Sequence, residues 1–248
     1  MTRKTIDIKT ADGICDSYIS CPATGDRLPA ILFFMDGIGI RPVLRQMADR
    51  LAAGGYCVLL PNMFYRRGPA VPADVTEILR PENRPALMEA VRSLTPERVV
   101  RDAGVFLEFL AAQKQVAPDA AIGLTGYCMG GSMVLRTAAH YPERIASAAS
   151  FHGGRLVTDA PDSPHRLVDR ITAELYIGHA DQDPGMTAED IARLEAALHA
   201  AGTRHRSELY IGALHGFTMS DMPVYDEMAC DRHWQRLAEL YVRTLKAA

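Results

Sequence analysis

Ala121-Ile122-Gly123-Leu124-Thr125-Gly126-Tyr127-Cys128-Met129-Gly130-Gly131 is the stretch that decides how the rest of the chain is read. Ala121 to Thr125 predicts a buried strand, Ser132 to His140 predicts a helix, and the turn between them has the form G-x-C-x-G. A sharp strand-to-helix turn of this form, an elbow, lifts its central residue out as a nucleophile. It needs small residues two before and two after, because side chains there would collide. Gly126 and Gly130 meet that need. Cys128 then stands at a helix N-terminus, where orphan N–H groups and the positive end of the dipole favour thiolate over thiol. Free cysteines are otherwise mostly core filler, but the elbow pattern outweighs that reading here. Nothing comparable surrounds Cys15, Cys21, Cys57 or Cys230, which receive no role.

Working outward, short apolar runs alternate with segments of helical period, the pattern of a mostly parallel sheet covered by helices. Strands are predicted at Ile14 to Ser20, Ala30 to Met35, Tyr56 to Leu60, Ala121 to Thr125, Ile145 to Phe151, Ala173 to Ile177 and Arg206 to Ile211. Several are apolar on both faces, as buried central strands are. Pro96 opens a helix whose Val99, Ala103, Phe106, Leu107 and Leu110 share a face. Thr187 and Asp190 resemble a capping box, and Gly202 ends the helix they start. From about Val224 to Lys246, Met228, Trp234, Leu237, Tyr241 and Leu245 recur at helical spacing and predict a docked terminal helix. Asn62 to Leu94 is broken by Gly68-Pro69, Pro72, Pro81 and Pro85 and reads as an excursion. No repeat, low-complexity tract or linker interrupts the chain, so residues 1–248 are expected to form a single α/β domain.

A thiol nucleophile needs a base, and the base needs an acid that fixes its tautomer. In this topology the acid follows a later strand and the histidine comes last, each on a loop at the carboxyl edge of the sheet. His215, in Ala213-Leu214-His215-Gly216-Phe217, meets that position. His152 and His179 also sit near strand ends and are second choices. His140, His165, His199, His205 and His233 read as structural or solvated. Asp181 and Asp183, in Gly178-His179-Ala180-Asp181-Gln182-Asp183, both satisfy the strand-end rule for the acid. One histidine and two carboxylates on that loop lack a further ligand set, so no metal and no cofactor is expected.

The 248 residues are 48% apolar and 23% charged, as in ordinary globular chains, which excludes collagen-like, mucin-like and disordered classes. A net charge of −3 offers no footprint for nucleic acid or anionic lipid. With no long apolar run and no secretory stretch at the start, a cytoplasmic protein is expected. Five cysteines without a CxxC pair argue against a disulfide scaffold, so reduced thiols are expected.

These segments together resemble the dienelactone hydrolase family of the α/β-hydrolase superfamily, over nearly the whole chain. Phe34-Met35-Asp36-Gly37-Ile38-Gly39 and Pro61-Asn62-Met63-Phe64-Tyr65-Arg66 look like further family segments. The resemblance implies Cys128 as nucleophile, His215 as base and Asp181 rather than Asp183 as acid. It also implies an oxyanion hole from the N–H groups of Met129 and the Asp36-Gly37-Ile38 loop, with Gly37 as the donor there. Asp36 stands where family members carry a glutamate that tunes the nucleophile. An arginine that follows the histidine in the family is missing here, which leaves Arg66 as the candidate anion clamp. The expected activity is cleavage of a carboxylic ester or lactone through an acyl-cysteine, on a small-molecule substrate, by a monomer or small homo-oligomer. The alternatives are a redox-responsive or ligand-binding relative without turnover, and a thioester or peptide hydrolase with the same triad.

Overall fold

The computed structural model describes every residue except 25–26, 71–73, 119 and 247–248, so Pro72 lies outside the described residues. The chain falls into two compact units, residues 1–120 and 121–248.

Among its described residues the first unit holds β1 (Thr2–Thr10), β2 (Gly13–Cys21), β3 (Ala30–Phe34), α1 (Pro42–Ala53), β4 (Cys57–Pro61), α2 (Val75–Ile78), α3 (Arg84–Arg92) and α4 (Pro96–Ala111). β3 and β4 pair in parallel, β2 runs antiparallel to β4, and β1 runs antiparallel to β2. β3 and β4 are buried along their whole length, which is why they carry apolar residues on both faces. β1 was absent from the sequence-based expectation. Its Thr-Arg-Lys-Thr-Ile-Asp-Ile-Lys-Thr is mostly exposed, and charge on an outer strand, which deters unwanted pairing, hides the strand from a search for apolar runs. α4 begins at Pro96, with the Thr95 hydroxyl accepting from Arg98 N–H, and buries Val99, Ala103, Phe106, Leu107 and Leu110 as its spacing predicts. The excursion carries the helices α2 and α3.

The expectation of reduced thiols throughout is corrected in this unit: Cys21 and Cys57 form a disulfide. They continue the β2–β4 register, one step beyond the Ser20–Val58 pair, and are buried. Sequence spacing carries no sign of this, since the two cysteines are 36 positions apart and meet only once the strands pair.

The second unit holds β5 (Ile122–Tyr127), α5 (Met129–His140), β6 (Ile145–Phe151), β7 (Glu174–Ala180), α6 (Ala188–Ala201), β8 (His205–Tyr210) and α7 (Glu227–Leu245). The four strands pair in parallel in chain order, Tyr127 beside Phe151, Phe151 beside Gly178, and Ala180 beside Tyr210. That register brings the carboxyl ends of all four to one edge, so the residues after each strand emerge together. α6 carries the expected capping box, Thr187 and Asp190 exchanging bonds, and ends at Gly202 in the left-handed conformation, φ 66°. α7 is fastened by the Tyr241 hydroxyl, which donates to Leu124 C=O at 2.9 Å, and by a 2.8 Å bond between Tyr127 Oη and His233 Nε2. The expected apolar stripe is corrected at Met228, which is 83% exposed; Cys230, His233, Leu237 and Tyr241 define the buried face.

Candidate active site

β5 delivers Cys128 directly to the first residue of α5. Cys128 has φ 55° and ψ −117°, a conformation that costs a residue with a Cβ about 1–3 kcal/mol and persists only where its surroundings enforce it. The enforcement is visible. Cys128 N–H donates to Phe151 C=O at 3.2 Å, and Cys128 C=O accepts from Gly131 N–H at 3.1 Å and Gly154 N–H at 3.2 Å. A Cβ on Gly126 would lie 2.3 Å from Gly130 O, and one on Gly131 would lie 2.3 Å from Ser150 Oγ. Gly126 and Gly131 therefore permit the close crossing that turns the thiol outward. Cys128 is half-buried, whereas Cys15 is buried and its thiol is pushed up to about 12, chiefly by burial.

His215 lies in the loop after β8, and its Nδ1–H donates to Asp183 Oδ2 at 2.6 Å. The Cys128 thiol is the other polar neighbour that favours the proton on this imidazole. Burial pushes the imidazole toward its neutral form, but the hydrogen bonds to Asp183 and Cys128 and the charges on both outweigh it. The imidazolium is held up to about 10, against an ordinary 6.5. Cys128, His215 and Asp183 thus come together, all within the second unit.

The acid is a correction. Asp181 does not meet His215: its Oδ1 accepts from Gln182 N–H at 3.0 Å and its Oδ2 from Gly212 N–H at 3.0 Å. The reason lies in the length of β7, which runs to Ala180 and not to Ile177. Asp181 N–H still donates to Ala213 C=O at 2.7 Å, so Asp181 continues the pairing of the strands. Gln182 then adopts φ 52° and swings the chain, and Asp183 is the residue that turns inward. Asp183 is 5% exposed, and its Oδ1 accepts from Gly185 N–H at 2.8 Å, which leaves Oδ2 for the histidine.

The second-choice histidines are occupied elsewhere. His179 is buried, bonds Ser207 Oγ through Nε2 at 3.1 Å, and is pushed down to about 4 by burial. His152, with φ 38°, bonds Thr218 Oγ1 through Nε2 at 2.8 Å and meets the His215 ring edge-on, centroids 5.2 Å apart. Burial, and then the positive charge of His215 and His233, hold it well below its ordinary value. Sequence reasoning missed this neutral wall behind His215; its signal was the position of His152 directly after β6.

Met129 opens α5 next to the thiol, and the first N–H groups of a helix have no partner within it. Asp36, Gly37 and Arg66 belong to the first unit. Asp36 is buried and shapes its own loop: Oδ1 accepts from Ile38 N–H at 3.0 Å and from Arg41 Nη1 at 2.8 Å. A Cβ on Gly37 would lie 3.5 Å from Val91 Cγ2. Arg66 is corrected as an anion clamp. Nε binds Asp12 at 2.8 Å, the guanidinium binds the buried Asp102 at 2.8 and 3.0 Å, and the side chain is 13% exposed. Its charge is already spent.

Fold and elbow define an α/β hydrolase. Solved structures agree on the fold: a dienelactone hydrolase from Anabaena variabilis superposes with a TM-score of 0.69 at 19% identity, covering 98% of each chain. A dienelactone hydrolase-like promiscuous phosphotriesterase from metagenomic libraries gives 0.80 at 21% identity, again over 98% of each. The model of the dienelactone hydrolase family matches residues 15–245, and the chain belongs to that family. A Methylorubrum extorquens protein named "Putative carboxymethylenebutenolidase" is 28% identical over 95% of this chain and 79% of its own length. No helix among the described residues is long and apolar enough to cross a membrane.

Proposed function

We propose that this protein cleaves a carboxylic ester or lactone through an acyl-Cys128 intermediate, with His215 carrying protons and Asp183 orienting His215. The observation that carries the reading is the 2.6 Å bond from His215 Nδ1 to Asp183 Oδ2, with the elbow thiol a neighbour that favours the proton on the same imidazole. The Cys128 thiolate adds to the acyl carbon, and the carbonyl electrons move onto oxygen. In this reading the N–H of Met129, the residue after the nucleophile, stabilises that oxyanion, where a preorganised donor acts on charge that develops only in the transition state. As the C–O bond breaks, the His215 imidazolium gives its proton to the leaving alkoxide. Neutral His215 next takes a proton from water, whose oxygen attacks the thioester, and the thiolate leaves to restore the thiolate–imidazolium pair. Asp183 holds Nδ1–H through both steps, so that Nε2 faces the chemistry.

Because Arg66 is committed to Asp12 and Asp102, the assignment to this protein stops at the bond cleaved and does not extend to an anionic dienelactone. One domain spanning residues 1–248, a cytoplasmic setting and a dissolved small-molecule substrate are parts of the same proposal. The test is Cys128→Ala assayed on p-nitrophenyl esters and simple lactones. Turnover is expected to fall to the uncatalysed rate with the circular-dichroism spectrum unchanged; a folded variant that keeps most of its activity overturns the proposal.

A further inference from the structure

We propose that Glu195, His199 and His205 form a binding site for a divalent transition metal of the zinc class, at the junction of α6 and β8. Glu195 and His199 lie one turn apart on α6 and share a face. Gly202 then reverses the chain, and His205 opens β8 against that face. Glu195 Oε2 is 3.3 Å from His205 Nε2 and 3.8 Å from His199 Nε2, and one donor atom from each residue fits within a 4.8 Å span. Metal–nitrogen and metal–oxygen bonds of about 2.0–2.2 Å place neighbouring ligands of a tetrahedral ion about 3.3–3.6 Å apart. The Glu195–His205 pair already has that spacing, and His199, 75% exposed, closes the remainder by a rotamer adjustment.

Two further features point to a ligand. His205 Nδ1–H donates to Thr203 C=O at 2.8 Å, which leaves the Nε2 lone pair facing Glu195; second-shell bonds of this kind orient metal-binding imidazoles. A lone pair facing a carboxylate oxygen needs a positive charge between them, either an added proton or a metal. Glu195 Oε1, moreover, is buried without a hydrogen-bond partner. Arg204, the adjacent cation, is drawn away to Glu174 at 2.9 Å. Two imidazoles and one carboxylate suit zinc, nickel or copper over calcium or magnesium. The exposed face at His199 supplies the open fourth position for water. The spacing, E-x3-H-x5-H, matches no familiar metal motif, and only the reversal at Gly202 brings its halves together. A bound ion would staple α6, which follows the Asp183 turn, to β8, which leads into the His215 loop.

The experiment is zinc chloride titrated against a chromophoric zinc indicator, using full-length protein carrying Cys128→Ser so that the elbow thiol contributes nothing. The expected result is one equivalent bound by Cys128→Ser. Adding His199→Ala or Glu195→Gln should weaken it by at least about tenfold, since losing even an outer-shell partner costs about 10–100-fold. Saturating zinc should raise the thermal midpoint of Cys128→Ser and leave those variants unmoved. His199 is exposed and Glu195→Gln keeps the shape of the side chain, so folding is retained, and circular dichroism checks it. Equal zinc affinity with and without the substitutions, or no zinc retained by Cys128→Ser, overturns the proposal; the direct contact between His205 and Glu195 then accounts for the geometry.

Discussion

The two aspartates after β7 differ by two positions in sequence and in every partner they meet in space. Topology placed the acid on this loop and the histidine at 215, so position 128 and position 215 were legible. The choice between Asp181 and Asp183 was not, because it turns on three further residues of strand and on one left-handed residue, Gln182. The two are separable by experiment. Asp183→Asn should lower kcat/KM for ester cleavage by about 10²-fold to 10⁴-fold, the range a positioned acid–base system contributes. Asp181→Asn keeps one of the two acceptors that Gln182 and Gly212 N–H use, at exposed positions that do not touch His215, and should retain most turnover. The pH dependence provides a second reading of the same pair. His215 is raised from 6.5 to about 10, so the imidazolium persists through neutral pH and is lost only as pH climbs through about 10. The high-pH limb of the kcat/KM profile should fall there. Asp183→Asn removes a charge that favours the imidazolium, and the limb should move to lower pH. A limb that stays put in Asp183→Asn would show that the carboxylate does not govern His215.

At the scale of elements, the strand–turn–helix at 122–140 was readable because its glycines are required by contact and not by flexibility alone. A methyl group on Gly126 meets backbone, the Gly130 carbonyl at 2.3 Å, which cannot rotate away as a side-chain tip would. Gly126→Ala should therefore cost at least the 1–3 kcal/mol, roughly, of an overpacked core position. It should also displace Cys128, so that the thermal midpoint and ester turnover fall together. Gly154→Ala, whose new methyl would meet open space, should leave the midpoint where it is. If Gly126→Ala matches Gly154→Ala in differential scanning calorimetry, the close crossing does not constrain the turn. Helices α4 and α6 were legible for a related reason: their start signals, Pro96 and the Thr187–Asp190 pair, are local chemistry written within one helical turn. β1 and the exposed Met228 were not, since an outer strand and a helix end are shaped by what lies beside them.

For the molecule as a whole, the features that escaped the sequence are pairings between distant positions, and the Cys21–Cys57 bond is the plainest of them. It closes a loop of 36 positions in the first unit, across strands that pair beside it. A crosslink acts mainly on the unfolded chain, by removing conformations that a loop of this length would otherwise sample, and it is worth roughly 3–4 kcal/mol on that account. Cys15, Cys128 and Cys230 remain thiols. Unreduced protein unfolded in guanidinium should therefore titrate three thiols, and reduced protein all five. The double variant Cys21→Ala, Cys57→Ala should unfold at lower urea with its ester turnover preserved, because the candidate triad draws on residues 128, 183 and 215 alone. The same loss should follow when wild-type protein is unfolded in the presence of a reductant. Five titratable thiols in the unreduced protein, or equal urea midpoints with and without reductant, would show that the strands hold together in solution without the bond.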